Sequence, residues 1–470
     1  MIASKIERLV IAAAAAYALA ECGSNASAAE ALSLKSPAAM AVLEPLPPVD
    51  PDAMSATGLA LSDLEQLALT SNPSLRRMAA LVGAARGNAL QAGLPPNPSV
   101  GYEGQQLGSG GLAEQHGVLF SQEIIRGGKL RLSRAVADRE RMRREQDLIA
   151  QELRVLTDVR IGYFQALLAE RQIELANTLM TISEEGAHTV DELFQAEEVS
   201  RADVLQAQLE VENARIIGQN SRNRHLAAWQ ELAAVVGDPA LAPQDLVGDP
   251  AAPTPTLDYQ NALTRILSSS PEVASALVEI ERANVMLQRA RVEPVSNVNV
   301  EGLVNWRDNG IGGKPDGGLA VSVPIPVFNR NQGAIAQANH ELMAARQALN
   351  ELELSLQKRL ASTFEQYSNA RNQTERYRAM ILPSADESLA ITRKMYAAGE
   401  ANYTALLTSQ RTYSQTQLNY LEAVRALRIA EAEIEGMLLS GSLENGNDSV
   451  KTTSDLRNSP APGGIGVFGR

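Results

Sequence analysis

The strongest constraint on the fold is that the sequence contains one unit of about 200 residues twice. Asn72-Pro73 recurs as Ser270-Pro271 at an offset of 198, and residues 200–205 recur as residues 401–406 at an offset of 201. Because a duplication of this size folds as two copies of one structural unit, the chain is predicted to repeat one architecture. Two unrelated domains are not expected.

Each copy begins with a helical segment that two strands follow. Apolar spacing predicts the helices over about residues 61–93 and 257–291. One predicted strand of the second copy alternates Val298, Val300, Gly302, Val304 and Trp306 with Asn297, Asn299, Glu301 and Asn305. The remaining strands show the same alternation at Leu319, Val321, Val323 and Ile325, and in the first copy at Val100, Tyr102, Val118, Phe120 and Ile124. Each copy is therefore predicted to contain one β-hairpin, with strands of about the ten residues that cross a bilayer.

A very long helix is predicted after each hairpin. No proline lies between Pro98 and Pro239, and the apolar periodicity runs over about residues 130–196. At 1.5 Å per residue this helix is on the order of 100 Å long. The second copy has the same pattern over about residues 333–398, with a kink or break expected at Pro383.

Return helices are predicted over about residues 202–236 and 403–438. The last one carries a coiled-coil seam at Tyr420, Ala423, Leu427, Ala430, Ile434 and Met437. Four strands cannot close a membrane barrel, because an open edge in lipid leaves backbone groups without hydrogen bonds. The helical seams also need partners on both flanks. The sequence therefore predicts a ring of several chains around a continuous lumen.

This layout resembles the TolC-type outer-membrane efflux factor family over about residues 59–439. Residues 323–333 (VPIPVFNRNQG) are similar to that family's second-repeat strand exit, especially in its heavy-metal (cobalt-zinc-cadmium) branch. The resemblance implies a mainly α fold with a membrane β-hairpin in each of two repeats. A long coiled-coil helical tunnel would continue into a β-barrel shared by a trimer.

The same resemblance implies a function and a set of partners. The expected function is passive conduction of metal cations or small toxic compounds through the outer membrane, with the helical part in the periplasm. The expected partners are two further copies in a homotrimer, a periplasmic adaptor (membrane fusion) protein, an inner-membrane resistance-nodulation-division pump and outer-membrane lipid.

The resemblance also places the adaptor contacts at the helix-to-helix turns of the periplasmic tips. These residues are Val199, Ser200, Arg201 and Ala202 in the first repeat, and Gly399, Glu400, Ala401 and Asn402 in the second. Asp203 matches an acidic position at the family's constriction, whereas the second-repeat aspartates of the best-known member fall at Thr404 and Leu407. Asp203 is equally well explained as a helix-start acid that stabilises the helix dipole.

No pattern in the sequence indicates catalysis, a metal site or a cofactor. The four histidines share no ligand spacing: His116, His188, His225 and His340. The glycines near Gly108 and Gly310 lie between strands with no following helix, which is typical of hairpin loops and not of phosphate sites. The net charge is -13 with no Lys/Arg block, so nucleic acid is not an expected partner. We therefore expect a protein that is not an enzyme.

The N-terminus has the pattern of a secretory signal peptide over residues 1–28. Lys5 and Arg8 precede a short apolar run and then small residues. The alternative is lipid attachment at Cys22, the only cysteine, although Glu21 departs from the usual lipoprotein pattern. Both processing routes remain open.

The other predicted boundaries follow composition and the repeat. An extended leader is expected over residues 29–58 and a disordered tail over residues 441–470, since both are rich in small residues and lack periodicity. The two repeats are assigned to residues 59–240 and 256–440.

Two aromatic residues of the predicted strands, Tyr102 and Trp306, are candidates for contact with the membrane surface. Tyr102 and Trp306 are interpreted as membrane-interface aromatics, and packing against a neighbouring strand is the alternative.

The first alternative function is a secreted coiled-coil tether whose hairpins stay out of lipid, which would be a structural protein and not a channel. The outer-membrane duct of a protein-secretion system is a further alternative, because fold alone does not select the cargo.

Overall fold

The computed structural model describes residues 58–108, 114–308 and 315–444. The first repeat consists of α1 (Leu61–Ser71), α2 (Pro73–Ala92), β1 (Ser99–Gln105), β2 (Gln115–Ile124), α3 (Lys129–Gln195) and α4 (Arg201–Val236). The second consists of α5 (Tyr259–Ser269), α6 (Pro271–Val292), β3 (Val298–Asp308), β4 (Asp316–Ser322), α7 (Gln332–Arg376), a π-helical turn (Tyr377–Ile381), α8 (Leu382–Ala397) and α9 (Tyr403–Glu435). The same order of elements occurs twice, as the duplication predicts.

The opening segment of each repeat is two helices, so the prediction of one continuous helix there is wrong. The residue before proline is disfavoured in the α conformation, and proline is well suited to the first helical position. Asn72 caps α2 by accepting a hydrogen bond from the Ser74 N–H at 2.8 Å. Ser270 caps α6 in the same way through the Glu272 N–H at 3.3 Å. The two X-Pro pairs therefore end one helix and start the next.

The long helices have the predicted extents. α3 contains 67 residues, and its counterpart in the second repeat is interrupted by the π-helical turn that ends one residue before Leu382. Pro383 lies in the first turn of α8, where its missing N–H and its ring prevent regular α-helical bonding to the preceding turn. The predicted interruption at Pro383 is confirmed. By contrast, α9 ends at Glu435 and not at Leu438, because Met437 and Leu438 adopt left-handed conformations.

The four strands form one antiparallel sheet in the order β1-β2-β3-β4. Both hairpins are present, and β2 and β3 join the two repeats edge to edge. β4 ends at Ser322, before the predicted strand residues Val323 and Ile325. The reason is that Pro324 and Pro326 have no N–H group to donate to a ladder.

Two apolar cores hold the short helices against the long ones. The first contains Leu64, Val155, Val159, Leu167, Trp229 and Leu232, and the second contains Ile266, Leu356, Leu360, Tyr367 and Ile434. All of these side chains are almost fully buried, and burial of each contributes roughly 1.5–3 kcal/mol. The cores therefore lie at corresponding places in the two repeats.

The segment between the repeats is packed against the first core. The Trp229 indole N–H donates to the Leu241 carbonyl at 2.8 Å, and the Tyr163 hydroxyl donates to the Val247 carbonyl. Leu59 forms a parallel bridge with Leu246. These bonds satisfy backbone groups that would otherwise be buried without partners.

The predicted signal peptide, Cys22, the leader up to residue 57 and the tail beyond Glu444 lie outside the described residues. The first residues of the predicted tail are packed, which corrects its start at residue 441. Asp158 accepts hydrogen bonds from the Gly441 and Ser442 N–H groups at 3.0 and 2.6 Å, and Gln151 donates to the Ser442 carbonyl at 2.8 Å. Composition predicted disorder there because it does not report these long-range bonds.

Candidate channel surfaces: the sheet and the helix tips

One face of the sheet is apolar and exposed. The register places Val100 opposite Phe120, Phe120 opposite Gly302, and Gly302 opposite Leu319, so one row crosses all four strands. The exposed apolar residues of this face are Val100, Tyr102, Val118, Phe120, Ile124, Val304, Trp306, Leu319 and Val321. A continuous exposed apolar face of this width is typical of a sheet that contacts lipid.

The opposite face of the sheet is mainly polar. The Asn299 amide donates to Glu301 at 2.8 Å and accepts from the Ser121 hydroxyl at 3.3 Å. Nearer the loop, the Asn305 amide donates to Asp316 at 2.9 Å. The apolar exceptions are Leu119, Leu303 and Ala320. The sheet thus has one face suited to lipid and one suited to water, as the sequence alternation predicted.

Both edges of the sheet are open. Among the described residues, β1 pairs only with β2, and β4 pairs only with β3. In lipid, unpaired backbone N–H and C=O groups cost several kcal/mol each. The sheet is therefore incomplete as a membrane structure until further strands pair with β1 and β4.

Tyr102 and Trp306 lie together on the apolar face with a third residue that the sequence did not single out. The rings of Tyr102 and Trp306 are 6.4 Å apart, and the Tyr102 hydroxyl is 2.6 Å from His116 Nδ1. Tyr102 also stacks on the His116 ring at 6.1 Å. The β1–β2 register explains the contact, because Tyr102 and His116 are diagonal neighbours across the ladder. The sequence gives no indication of this contact, because His116 shares no ligand spacing with the other histidines.

The two helix tips have the same turn. α3 ends at Gln195 and α8 at Ala397, and each is followed by a residue in the left-handed region, Glu197 at φ 61° and Gly399 at φ 73°. The Ser200 hydroxyl caps α4 at the Asp203 N–H, and the Asn402 amide oxygen caps α9 at the Ala405 N–H. The predicted tip residues thus lie at the turns. Most of these residues are exposed: Ser200, Arg201, Ala202, Gly399, Glu400 and Asn402.

Val199 and Arg201 are the tip residues with defined packing. Val199 packs against the apolar cluster below the tip. The Arg201 guanidinium lies 5.9 Å from the centre of the Phe194 ring, which is a cation–π distance. The first tip is therefore braced by its own side chains.

Asp203 completes a capping box at the start of α4. Its carboxylate accepts hydrogen bonds from the Ser200 N–H at 3.0 Å and from the Ser200 hydroxyl at 2.8 Å. Both bonds stabilise the helix end, and the negative charge is favourable near a helix N-terminus. The sequence left two roles open for Asp203, a helix-start acid and a constriction residue. Within one chain, the structure shows the first role, because Asp203 caps α4.

A buried cluster that sequence analysis missed joins the two repeats below the tips. Val190 and Val204 of the first repeat pack with Leu389, Tyr403 and Leu406 of the second. Burial, followed by the nearby carboxylate of Glu210, raises the pKa of Tyr403 to about 12. No local pattern marks this cluster, because its members come from four different helices.

An ion pair lies beside this cluster. Arg411 on α9 donates to Glu210 on α4, and the Glu210 side chain is only 15% exposed. This hydrogen bond raises the pKa of Arg411, and burial opposes the rise. The pair connects the helical hairpin of one repeat to that of the other.

The structure also corrects the repeat offset near the tips from 201 to 202. The helix caps Ser200 and Asn402 are 202 positions apart, and so are the left-handed residues Glu197 and Gly399. The buried seam pairs agree with this value: Ala214 with Thr416, Ser221 with Ala423, and Ala228 with Ala430. Residue identity alone favoured 201 because Leu205 and Leu406 then coincide.

The histidines do not form a ligand set in the described part of the chain. His188 is 3.6 Å from Glu192, and His225 is 3.5 Å from Glu170; burial raises the pKa of Glu170, and His225 opposes this rise. Among the described residues there is no group of three or more His, Cys, Asp or Glu side chains arranged to hold a metal ion. None of the described helices combines the length and the apolar character needed to span a membrane.

Two features together define an outer-membrane channel subunit. One is the sheet with an exposed apolar face and open edges, and the other is the set of long antiparallel helices that meet at capped tips. The chain belongs to the outer membrane efflux protein family, whose model matches residues 64–238 and 262–438. It is thus a subunit of an outer-membrane efflux channel with its helical part in the periplasm. The matched family is one of efflux channels and not of enzymes.

The chain is similar to several individual proteins. The chain is 26% identical over 386 residues to the cobalt-zinc-cadmium resistance protein CzcC of Cupriavidus metallidurans, covering 81% of this chain and 90% of that protein. It is 27% identical over 346 residues to the alkaline protease secretion protein AprF of Pseudomonas aeruginosa, covering 67% and 69%. The outer membrane protein VceC of Vibrio cholerae has the same fold, with a TM-score of 0.66 at 17% identity, 81% coverage of this chain and 96% of VceC. The TolC-type fold class is confirmed.

Proposed function

We propose that three copies of this chain form a passive export channel that accepts metal cations from an inner-membrane resistance-nodulation-division pump through a periplasmic adaptor. The observation that carries the proposal is the four-stranded sheet with an exposed apolar face and two open edges. Three copies would supply twelve strands and close the barrel, which removes every open edge from lipid.

The proposed cargo is taken from CzcC, the relative whose name states its substrates. CzcC is named for resistance to cobalt, zinc and cadmium, and this chain matches nine-tenths of its length. A lumen lined by the polar face of the sheet suits hydrated cations, since Glu301 and the neighbouring amides offer oxygen atoms to water and ions. Other small toxic compounds remain within the same proposal, because a passive duct selects little by itself.

A protein-secretion duct is the second candidate. The observation that favours it is the match to AprF, which is named for secretion of an alkaline protease. That match covers a smaller part of both proteins than the CzcC match. A secretion system would supply a polypeptide cargo and a different pump. A secreted tether is disfavoured, because it would leave the apolar sheet face in water.

The remaining site assignments belong to the same proposal. The tip residues of both turns, from Val199 to Ala202 and from Gly399 to Asn402, dock the adaptor. Tyr102 and Trp306, with His116, lie at the membrane interface. Residues 1–28 form the signal peptide unless Cys22 carries a lipid. The chain performs no catalysis and uses no cofactor.

The test is single-channel conductance of the detergent-extracted protein in a planar bilayer, together with its mass in detergent. We expect discrete conductance steps from a particle of three chains. A stable particle of one chain without conductance would contradict the channel proposal. Export of zinc or cobalt, measured as metal tolerance of cells with and without this chain, then separates the metal cargo from a secreted protein.

Asp203 is proposed to narrow the closed end as well as to cap α4. Three Asp203 carboxylates near the axis would favour cations, an effect that salt screens. We expect Asp203→Ala to raise conductance and to lower cation selectivity. The matched control is Asp63→Ala, because Asp63 caps α1 in the same way by accepting from the Ala60 N–H at 3.1 Å. Unchanged conductance and selectivity in Asp203→Ala would leave Asp203 only its capping role.

A further inference from the structure

We propose that a basic collar below the sheet binds the phosphate headgroups of anionic phospholipids in the periplasmic leaflet of the outer membrane. The basic collar lies where strands and helices meet and consists of Arg126, Arg131, Arg291 and Arg330. This inference rests on the proposed position of Tyr102 and Trp306 at the membrane interface. It goes further by naming a class of lipid and the side chains that contact it.

The apolar face of the sheet sets the level of the periplasmic membrane surface. A membrane barrel presents to lipid an apolar band about 25 Å tall, and its strands are tilted by about 40°. At a rise of about 3.3 Å per residue, about ten strand residues cross such a band. Trp306 is 52% exposed near the loop end of β3. Counting about ten residues back along the chain leads to Ser296, so the periplasmic surface is expected near this residue.

The strand pairing brings Arg126 to the same level. β2 and β3 pair Ile124 with Val298, and continuing this register by two positions sets Arg126 opposite Ser296. The Arg126 N–H donates to the Asn297 amide oxygen at 3.4 Å, which agrees with this placement. Ile124 lies on the exposed apolar face, and a spacing of two positions is that of side chains on one face of a strand. Arg126 is therefore expected on the lipid side of the sheet, at the membrane surface.

The exit of β4 lies at this level as well. The Ser296 hydroxyl donates to the Pro324 carbonyl. The apolar side chains that follow are open to solvent in the single chain, since Ile325 is 81% exposed and Phe328 89%. Arg330 comes next, just before α7 begins. Apolar and aromatic side chains beside an arginine are typical of a segment at a membrane–water interface.

The charge of the basic collar is not balanced by carboxylates. All four arginines are exposed, and within the described residues none of their side chains lies within 4.0 Å of a carboxylate oxygen. The carboxylates near the collar have other partners. Glu293 pairs with Lys129 at 3.5 Å, and Glu123 accepts from the Asn297 amide at 2.8 Å. The collar therefore offers positive charge to a negatively charged partner, and a phosphate at the membrane surface complements it.

The opposite end of the sheet is acidic, which selects the leaflet. Among the described residues, the charged residues at the loop end are Glu103, Glu114, Asp308, Asp316 and Arg307. The helices leave the sheet at the collar end and extend into the periplasm, so the collar faces the periplasmic leaflet. The occupant is therefore an anionic phospholipid of that leaflet and not a lipid of the outer leaflet.

The test is lipid binding by the full-length protein in a neutral detergent. The protein is incubated with equal amounts of phosphatidylglycerol and phosphatidylcholine and re-isolated, and the bound lipids are quantified by mass spectrometry. Each basic residue near a headgroup favours an anionic lipid by about fivefold, so we expect at least about fivefold enrichment of phosphatidylglycerol on the parent chain. Arg126→Gln with Arg330→Gln should lower the enrichment to less than about twofold. Neither residue lies in a helix or strand, so circular dichroism should be unchanged.

Two further variants control for charge and for geometry. Arg222→Gln with Arg376→Gln removes the same charge from two exposed residues of the periplasmic helices and should keep the parent's enrichment. Arg126→Lys with Arg330→Lys should keep most of it, because a positive charge at the phosphate is what the proposal requires. Added salt should lower the enrichment on the parent chain, since it screens exposed charges.

Equal binding of the two lipids by a conducting particle of three chains would overturn this inference and leave the channel intact. Enrichment that survives Arg126→Gln with Arg330→Gln would also overturn it, and its loss in His116→Ala would then place the lipid at the outer end of the sheet. Loss of the three-chain particle in the Gln variant, with no enrichment on the parent, would assign the arginines to a contact between copies and reject the lipid. A parent particle of one chain without conductance would contradict the proposed function itself.

Discussion

Trp229 in the first repeat and Glu431 in the second occupy corresponding positions, 202 residues apart on α4 and α9, and each binds the segment between the repeats. Trp229 fills the first core and donates to the Leu241 carbonyl at 2.8 Å. Glu431 pairs with Arg428 at 2.8 Å and accepts from the Thr254 hydroxyl. One end of the segment is therefore held by an aromatic side chain and the other by an ion pair.

The same position of the repeat can therefore hold a buried aromatic side chain or a buried carboxylate, provided that each polar atom has a hydrogen-bond partner. Arg428 is 5% exposed and Glu431 7%, a burial that is costly for charges without bonds. Arg428 also donates to the carbonyls of Pro250 and Ala252. The first repeat depends on filled volume and the second on paired charges, so the two should respond differently to substitution.

The largest effect is expected for Trp229→Ala. Removing a fully buried indole leaves a cavity and an unpaired Leu241 carbonyl, which should lower the free energy of unfolding by about 4 kcal/mol. Urea denaturation followed by far-UV circular dichroism measures the loss. Gln230→Ala, at the exposed next position of the same helix, should change the value by less than about 0.5 kcal/mol. Equal effects of the two variants would contradict the role of the first core.

Glu431→Ala is expected to cost about 3 kcal/mol, because Arg428 then remains buried without a carboxylate. The matched control is Glu435→Ala, one turn further along α9. Glu435 pairs with Arg160 at 3.5 Å, and its side chain is 50% exposed, so its loss should cost no more than about 1 kcal/mol. If both variants cost the same, burial of the Arg428–Glu431 pair does not matter. The same denaturation experiment decides.

The two X-Pro junctions allow a further comparison between the repeats, with smaller expected changes in the free energy of unfolding. Asn72 and Ser270 each cap a helix, but Asn72 also donates to the Val235 carbonyl at 2.6 Å. Ser270→Ala should cost about 1 kcal/mol, the usual value for a lost cap. Asn72→Ala should cost about 2 kcal/mol, because the partly buried Val235 carbonyl also loses a partner. A larger loss for Ser270→Ala would reverse this order and show that the junctions are not held as the hydrogen bonds indicate.

Periodicity predicted the helices, the strands and the two faces of the sheet, because side-chain spacing follows directly from backbone geometry. It failed where a contact between distant residues decides the outcome. The breaks at Asn72 and Ser270, by contrast, follow from the local X-Pro pairs and their caps, a signal that apolar periodicity does not include. The packing of Ser442 depends on Gln151 and Asp158.

The candidate site shows the same division. The tip turns could be placed from the sequence, because the helical periodicity stops before them and resumes after them, and the family resemblance assigns them to the periplasmic tips. The buried cluster around Tyr403 and its ion pair could not, because their members are near one another only in the folded chain. The offset of 202 was also hidden, since the best matching identities near the tip align one position away from the structural equivalence.

The smallest expected effect concerns Glu433 and its counterpart Glu231. Burial raises the pKa of Glu433 above its usual range, and Thr363 and Arg359 oppose the rise only in part. A carboxyl group whose pKa is higher in the folded state destabilises that state once it ionises. The parent chain should therefore lose stability as the pH rises through the usual range of glutamate, and the loss is complete above the raised pKa.

Glu433→Gln removes this ionisation and should raise the denaturation midpoint at pH 7 but not at pH 4, where the parent side chain is already largely protonated in the folded state. Glu231 occupies the corresponding position on α4 and is exposed, so Glu231→Gln should change neither midpoint. The measurement is the urea midpoint of the three proteins at both pH values. A gain that is the same at pH 4 and pH 7 would mean that Glu433→Gln acts through packing and not through charge. In that event the difference between the repeats at this position would be one of shape, unlike the difference between Trp229 and Glu431, which is one of filled volume against paired charge.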